Sequence, residues 1–186
     1  MLAPVLCFAT GNESRGDDAL GPLLLRKLQV WLEKEGKPEQ VECLEEFQLQ
    51  VEHAMDMHGR QLVLFIDAGM DTPAPFVFYA AQADANPVLY SHALAPEVLL
   101  KVYGQCYQEA PPDVFVLCVH GEYFELGDGL SAAAAEHLDA AFEFCKDLLG
   151  TADAAVWRAK DTSTTDKPIC AARPLESGAE CRTLHS

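Results

Sequence analysis

Val5-Leu6-Cys7-Phe8-Ala9-Thr10 runs directly into Gly11-Asn12-Glu13-Ser14-Arg15-Gly16-Asp17-Asp18-Ala19-Leu20-Gly21-Pro22. The first six residues are an apolar run of strand length. The next segment is a glycine-bounded loop that ends on two adjacent carboxylates. From Leu20 onward, apolar residues return at helical spacing, with a stripe at Leu23, Leu24, Leu28 and Trp31. The order is therefore strand, loop, helix, the opening unit of an α/β sheet. In open sheets of this kind, ligands bind outside the carboxyl ends of the strands. Two acids placed there favour a cation over a phosphate.

The same alternation continues along the chain. Gly36-Lys37-Pro38 ends the first helix, and Val41–Phe47 reads as a second strand interrupted by acids. Gln50–His58 reads as a short helix. Gln61-Leu62-Val63-Leu64-Phe65-Ile66-Asp67 is a nearly unbroken apolar strand that closes on an acid, and Pro75–Ala80 is a further strand. Residues 84–91 read as a loop, Pro96–Tyr107 as a helix stopped by Pro111-Pro112, and Asp113–Val119 as another apolar strand. An alanine-rich helix follows from Leu130 to Leu149, with Ser131 as its N-cap and Gly150 at its end. Continuous apolar strands separated by helices predict a three-layer α/β/α sandwich around a mainly parallel sheet of about five strands.

Composition narrows the functional classes. The chain has 186 residues and a net charge of −16, with 13 Lys and Arg against 29 Asp and Glu. That balance argues against a nucleic-acid partner and for cationic partners or metal ions. From Thr151 onward, five basic residues (Arg158, Lys160, Lys167, Arg173, Arg182) balance five acids (Asp153, Asp161, Asp166, Glu176, Glu180), so the acidic excess belongs to residues 1–150. This division predicts one α/β domain over 1–150 and a flexible or disordered tail over 151–186. Seven scattered cysteines with no C-x-x-C pair suit a reducing cytoplasm, with Cys7 and Cys118 acting as small hydrophobes in apolar strands. No signal-peptide pattern and no apolar run of about 20 residues is present, so no membrane association is expected.

Three residues carry metal-binding chemistry on this layout: Asp18 in the first strand-to-helix loop, Asp67 at the end of the third strand, and His92 before the Pro96 helix. A parallel sheet places all three at one edge. Two carboxylates and an imidazole suit a borderline divalent ion such as zinc or nickel, with positions left open for substrate or water. Each residue alone has an ordinary structural role: Asp67 as a turn cap, Asp18 at a helix start, His92 as an exposed loop residue. Other candidates are weaker. His53 and His58 do not share a helical face, and His120 with Glu122 reads as a solvated loop. The Gly11 loop lacks the Lys-Ser/Thr of a phosphate loop and the spacing of a dinucleotide fingerprint, and no G-x-S-x-G elbow occurs.

Gly11-Asn12-x-x-x-Gly16-Asp17-Asp18-x-x-Gly21 resembles the N-terminal signature of the hydrogenase maturation endopeptidases, which process the large subunit of nickel–iron hydrogenases. The likeness continues through Leu64-Phe65-Ile66-Asp67-Ala68, Ser91-His92-Ala93-Leu94, Val116-Leu117-Cys118-Val119 and Glu125-Leu126-Gly127-Asp128-Gly129-Leu130-Ser131, covering residues 4–150. It implies that Asp18, Asp67 and His92 recognise nickel already installed in the precursor. The metal is then part of the substrate and not a resident cofactor. It further implies removal of a C-terminal peptide from that large-subunit precursor, as an aspartyl-type endopeptidase, with a non-catalytic, chaperone-like metalloprotein-binding module as the alternative. One departure stands out. Many members carry an Asp-Gly-Gly-Thr-like loop after the second strand, whereas this chain has Glu45-Glu46-Phe47-Gln48-Leu49-Gln50, a pattern closer to the branch serving soluble NAD-reducing hydrogenases. Glu45 or Gln48 is then expected to replace contacts of the missing loop.

Overall fold

The computed structural model describes residues 2–83 and 94–162. Five strands form one sheet: β1 (Val5–Thr10), β2 (Val41–Glu46), β3 (Leu62–Gly69), β4 (Phe76–Ala80) and β5 (Asp113–His120). Their spatial order is β2-β1-β3-β5-β4. The first four of that order run parallel, and β4 closes one edge antiparallel to β5. The mainly parallel sheet expected from the alternating pattern is present, and helices flank both faces.

Side-chain alternation decides which helix goes where. On β3, Leu62, Leu64, Ile66 and Ala68 join one core with α1 (Leu20–Lys34) and α3 (Ala132–Thr151). Val63 and Phe65 point the other way, into a core with Leu99, Leu100 and Tyr103 of α2 (Pro96–Tyr107) and with Ala54 and Met57. Strands buried on both faces need apolar residues at every position, which is why β1 and β5 read as unbroken apolar runs. The buried stripe of α1 is Leu20, Leu24, Leu25, Leu28 and Leu32. Leu23 and Trp31, expected within the stripe, pack at its flank. Each fully buried leucine contributes roughly 1.5–3 kcal/mol. Ser131 caps α3 as expected, its Oγ accepting from Ala134 N at 3.1 Å.

The described residues after Gly150, part of the expected tail, carry helical structure. Helix α3 runs to Thr151, and α4 (Ala154–Ala159) turns back onto the sheet. Trp157 is completely buried, its ring lies 5.2 Å from Phe115, and its Nε1 donates to Leu148 O at 2.9 Å. Asp161 and Thr162 then line the open edge of β4. Thr162 N donates to Phe78 O at 2.8 Å, Phe78 N to Thr162 Oγ1 at 2.9 Å, and Ala80 N to Asp161 Oδ2 at 3.1 Å. An exposed strand edge is a template for unwanted pairing, and these two residues cover it. Residues 163–186 of the expected tail lie outside the described residues, as does the expected loop over 84–91.

Candidate active site at the β1–β3 crevice

Strand order creates the site. From β1 the chain crosses to β2 on one side, while β3 lies on the other, so the order reverses between β1 and β3. Such a switch point leaves a crevice at the carboxyl ends of the two strands. Asp18 and Asp67 both belong to it. Asp18 sits in a single helical turn, Gly16–Ala19, between β1 and α1, and that turn packs on β3. Gly21 fixes the approach: a Cβ there would lie 2.3 Å from Thr10 O and 3.2 Å from Ile66 O. The first turn of α1 thus rests on the ends of β1 and β3 together, one residue short of Asp67.

Asp18 is 1% exposed, and its Oδ2 accepts from Asn12 N at 3.0 Å. The loop that makes this contact depends on Gly11, at φ +153°, where a Cβ would stand 2.1 Å from Asp18 O. No other residue type leaves that carbonyl in place. Asp67 is half-buried and accepts from Ala68 N at 2.9 Å through Oδ1. It does not end its strand, as the sequence suggested. Ala68 and Gly69 extend the ladder, pairing with Val119 and His120. His92, the third expected ligand, lies outside the described residues. Among the described residues, no three His, Cys, Asp or Glu side chains gather into a metal-binding group.

Asp17 has a different task from its neighbour. Its Oδ2 accepts from Glu122 N at 2.8 Å, Tyr123 N at 3.1 Å and Ser131 Oγ at 3.0 Å, and its Oδ1 from Ser131 N at 2.8 Å. Burial pushes this carboxyl's pKa up. The donors from Ser131, Glu122 and Tyr123 outweigh that and hold it below the usual carboxylate range. Backbone bonds reinforce the junction: Asp17 N to Tyr123 O at 2.7 Å, Gly16 N to Asp128 O at 3.1 Å and Gly127 N to Ser14 O at 2.7 Å. Gly16, at φ +55°, has Tyr123 O where its Cβ would be. The loop bearing Asp18 is therefore clamped to the segment between β5 and α3.

The remaining sequence candidates resolve into supporting roles. His53 Nδ1 accepts from Gln50 N at 3.0 Å, and its ring packs 4.8 Å from Phe8. His58 stacks on Tyr107 at 4.2 Å. Glu45 is tied up on the surface: Arg26 bridges it, at 2.7 Å, to Glu13, at 2.6 Å. His120, expected in a solvated loop, is only 20% exposed and meets Thr72 O through Nδ1 at 2.6 Å. His137 of α3 meets His120 O through Nδ1 at 2.9 Å, and the two rings lie 5.2 Å apart. A carbonyl accepts only, so both Nδ1 atoms carry protons, and His120 Nε2 lies 3.9 Å from Glu122 Oε1. His137 gave no sequence signal of its own within the alanine-rich helix read from Leu130 to Leu149. Cys7 is a free buried thiol as expected, whereas Cys118 is disulfide-bonded and not a reduced core residue. Among the described residues, no helix is long and apolar enough to cross a membrane.

Comparison with known proteins places this geometry among solved structures. No protein-family model and no curated protein matches the chain. A NiFe hydrogenase maturation protease, HycI, from Thermococcus kodakarensis KOD1 superposes with a TM-score of 0.61 at 19% identity, covering 80% of this chain and 93% of its own. The hydrogenase maturating endopeptidase HybD from E. coli gives a TM-score of 0.61 at 21% identity, covering 82% and 94%. HybD from Thermococcus kodakarensis gives 0.58 at 20% identity, covering 80% and 99%. The chain thus has the α/β fold of the hydrogenase maturation proteases over nearly the whole of their length.

Proposed function

We propose that this protein is an endopeptidase that removes the C-terminal extension of a nickel-loaded nickel–iron hydrogenase large-subunit precursor. The observation that carries this reading is the placement of Asp18 and Asp67 at the β1–β3 switch point, in a fold shared with proteins named as hydrogenase maturation proteases. In this reading Asp18, Asp67 and His92 recognise nickel held by the precursor. The nickel arrives with the substrate and leaves with the product. Two carboxylates facing a bound divalent ion orient the peptide beside it, and a metal-polarised carbonyl or metal-bound water supplies the reactive group. The acidic surface, with a net charge of −16, favours a cationic approach. The branch serving soluble NAD-reducing hydrogenases remains part of the proposal through the Glu45–Gln50 sequence. Four free thiols, Cys7, Cys43, Cys106 and Cys145, support a cytoplasmic setting, and the disulfide at Cys118 weighs against it.

The test is incubation with purified precursor large subunit, with and without inserted nickel, followed by intact mass measurement. The proposal expects a C-terminal mass loss from the nickel-loaded form only, abolished by Asp18→Asn and strongly reduced by Asp67→Asn or His92→Ala. Stable binding without mass loss would identify a chaperone-like module instead.

A further inference from the structure

Cys7 and Cys43 are register partners on β1 and β2. Lateral neighbours in a sheet present their side chains on the same face, about 4.8 Å apart along the hydrogen-bonding direction. Their face is the one covered by α1 and α3. Both carry free thiols. Cys7 is completely buried, and Cys43 is half-buried. Cys43 lines an open hollow of about 500 Å³ between α1 and β2, together with Arg26, Gln29, Glu33 and Pro38. Its sulfur is therefore the one of the pair that a small solute reaches.

The two thiols hydrogen-bond to each other. That bond holds the Cys43 thiol below its usual pKa, against opposing effects of burial and of Glu42. The same bond, followed by burial, pushes Cys7 up. Cys43, half-buried beside the hollow and lowered in pKa, is the better placed of the two to attack. Cys145 of α3 is fully buried, and burial pushes it up as well, which removes it as a competing nucleophile. Separately from the thiol chemistry, β2 is an edge strand of the sheet. The spacing of paired strands falls inside the Cα separation that disulfides tolerate.

We propose that Cys43 and Cys7 form an oxidisable pair that reduces small hydroperoxides, with Cys43 attacking and Cys7 resolving. The Cys43 thiolate attacks one peroxide oxygen, the O–O bond breaks, and the departing oxygen takes a proton and leaves as water or an alcohol. Cys43 is then a sulfenic acid. Cys7 gives up its proton and attacks the Cys43 sulfur, the S–O bond breaks, and the hydroxyl leaves with that proton as water. Two thiols lose two electrons in all, and the peroxide gains them. A thiol reductant reverses the bond by exchange. The link pins β2 to β1 and touches neither Asp18 nor Asp67, so its test does not depend on peptidase activity.

Full-length protein is treated with hydrogen peroxide at neutral pH, quenched with an alkylating agent and mapped by peptide mass spectrometry. The expected result is a linked peptide pair containing Cys7 and Cys43, with loss of both alkylation sites, reversed by dithiothreitol. In Cys7→Ser, Cys43 is expected to be trapped by dimedone as the sulfenic acid. In Cys43→Ser, Cys7 is expected to stay alkylatable only after unfolding and to remain unoxidised. Oxidation of the exposed Cys106 without a Cys7–Cys43 link in the wild-type protein overturns the proposal. So does a link that forms only in urea, and this control holds whether or not either serine variant folds.

Discussion

Asp17 and Asp18 are adjacent in sequence, equally hidden from solvent, and bonded in different ways. Asp17 is surrounded by donors that come from the far side of the chain, Glu122, Tyr123 and Ser131, and these keep it ionised as a structural anchor. Asp18 is held by Asn12 N of its own loop and stands at the crevice between β1 and β3. The difference teaches that a pair of acids at a strand end is not a unit. One carboxylate ties the loop down so that the other keeps a fixed position, and fixed placement of charged groups is what a recognition or catalytic site requires.

Four experiments bear on that contrast, in descending size of effect. Asp17→Ala strands the N–H groups of Glu122, Tyr123 and Ser131 in a partly buried junction, and a loss of about 3 kcal/mol in urea unfolding is expected. An unchanged midpoint would mean that the clamp is dispensable. Asp67→Asn keeps the shape of the side chain and removes its charge. Processing of the nickel-loaded precursor is expected to fall by about 100-fold or more while the urea midpoint stays near wild type. A variant that cleaves normally would remove Asp67 from the site. Ser131→Ala removes the cap of α3 and a donor to Asp17 together, at a cost of about 1–2 kcal/mol. Acid supplies the smallest effect. Because the folded pKa of Asp17 lies below its unfolded value, its stabilisation is complete above the ordinary carboxylate pKa and is lost as pH falls through the depressed one. The stability gap between wild type and Asp17→Asn should therefore narrow on acidification below about pH 4. A gap that stays constant to low pH would contradict the anchored-carboxylate account.

Local pattern made much of the architecture readable. β1 spans Val5–Thr10 and β5 begins at Asp113, as their apolar runs predict, because strands buried on both faces leave no room for polar alternation. Ser131 as a cap was legible because capping is decided within three residues. Asp18 was legible in the loop after β1, whereas β3 runs two residues past Asp67, which the apolar run did not announce. The role of Asp17 was not legible, since its partners lie more than a hundred residues away and no local rule brings them together. Trp157 was hidden for a related reason. A single aromatic residue in a short segment has no periodicity, and only its ring contacts with Phe115 and Phe78 show why it is buried. The His120–His137 contact joins a strand end to a helix face, and neither sequence neighbourhood announces it.

The central claim is that Asp18 acts on the substrate while Asp17 holds the loop. The most direct measurement is the rate of C-terminal mass loss from nickel-loaded precursor with Asp18→Asn, beside wild type and with the fold of each checked by urea unfolding. The account predicts no detectable processing by a variant whose unfolding midpoint stays close to that of wild type. Processing at the wild-type rate by folded Asp18→Asn would contradict it.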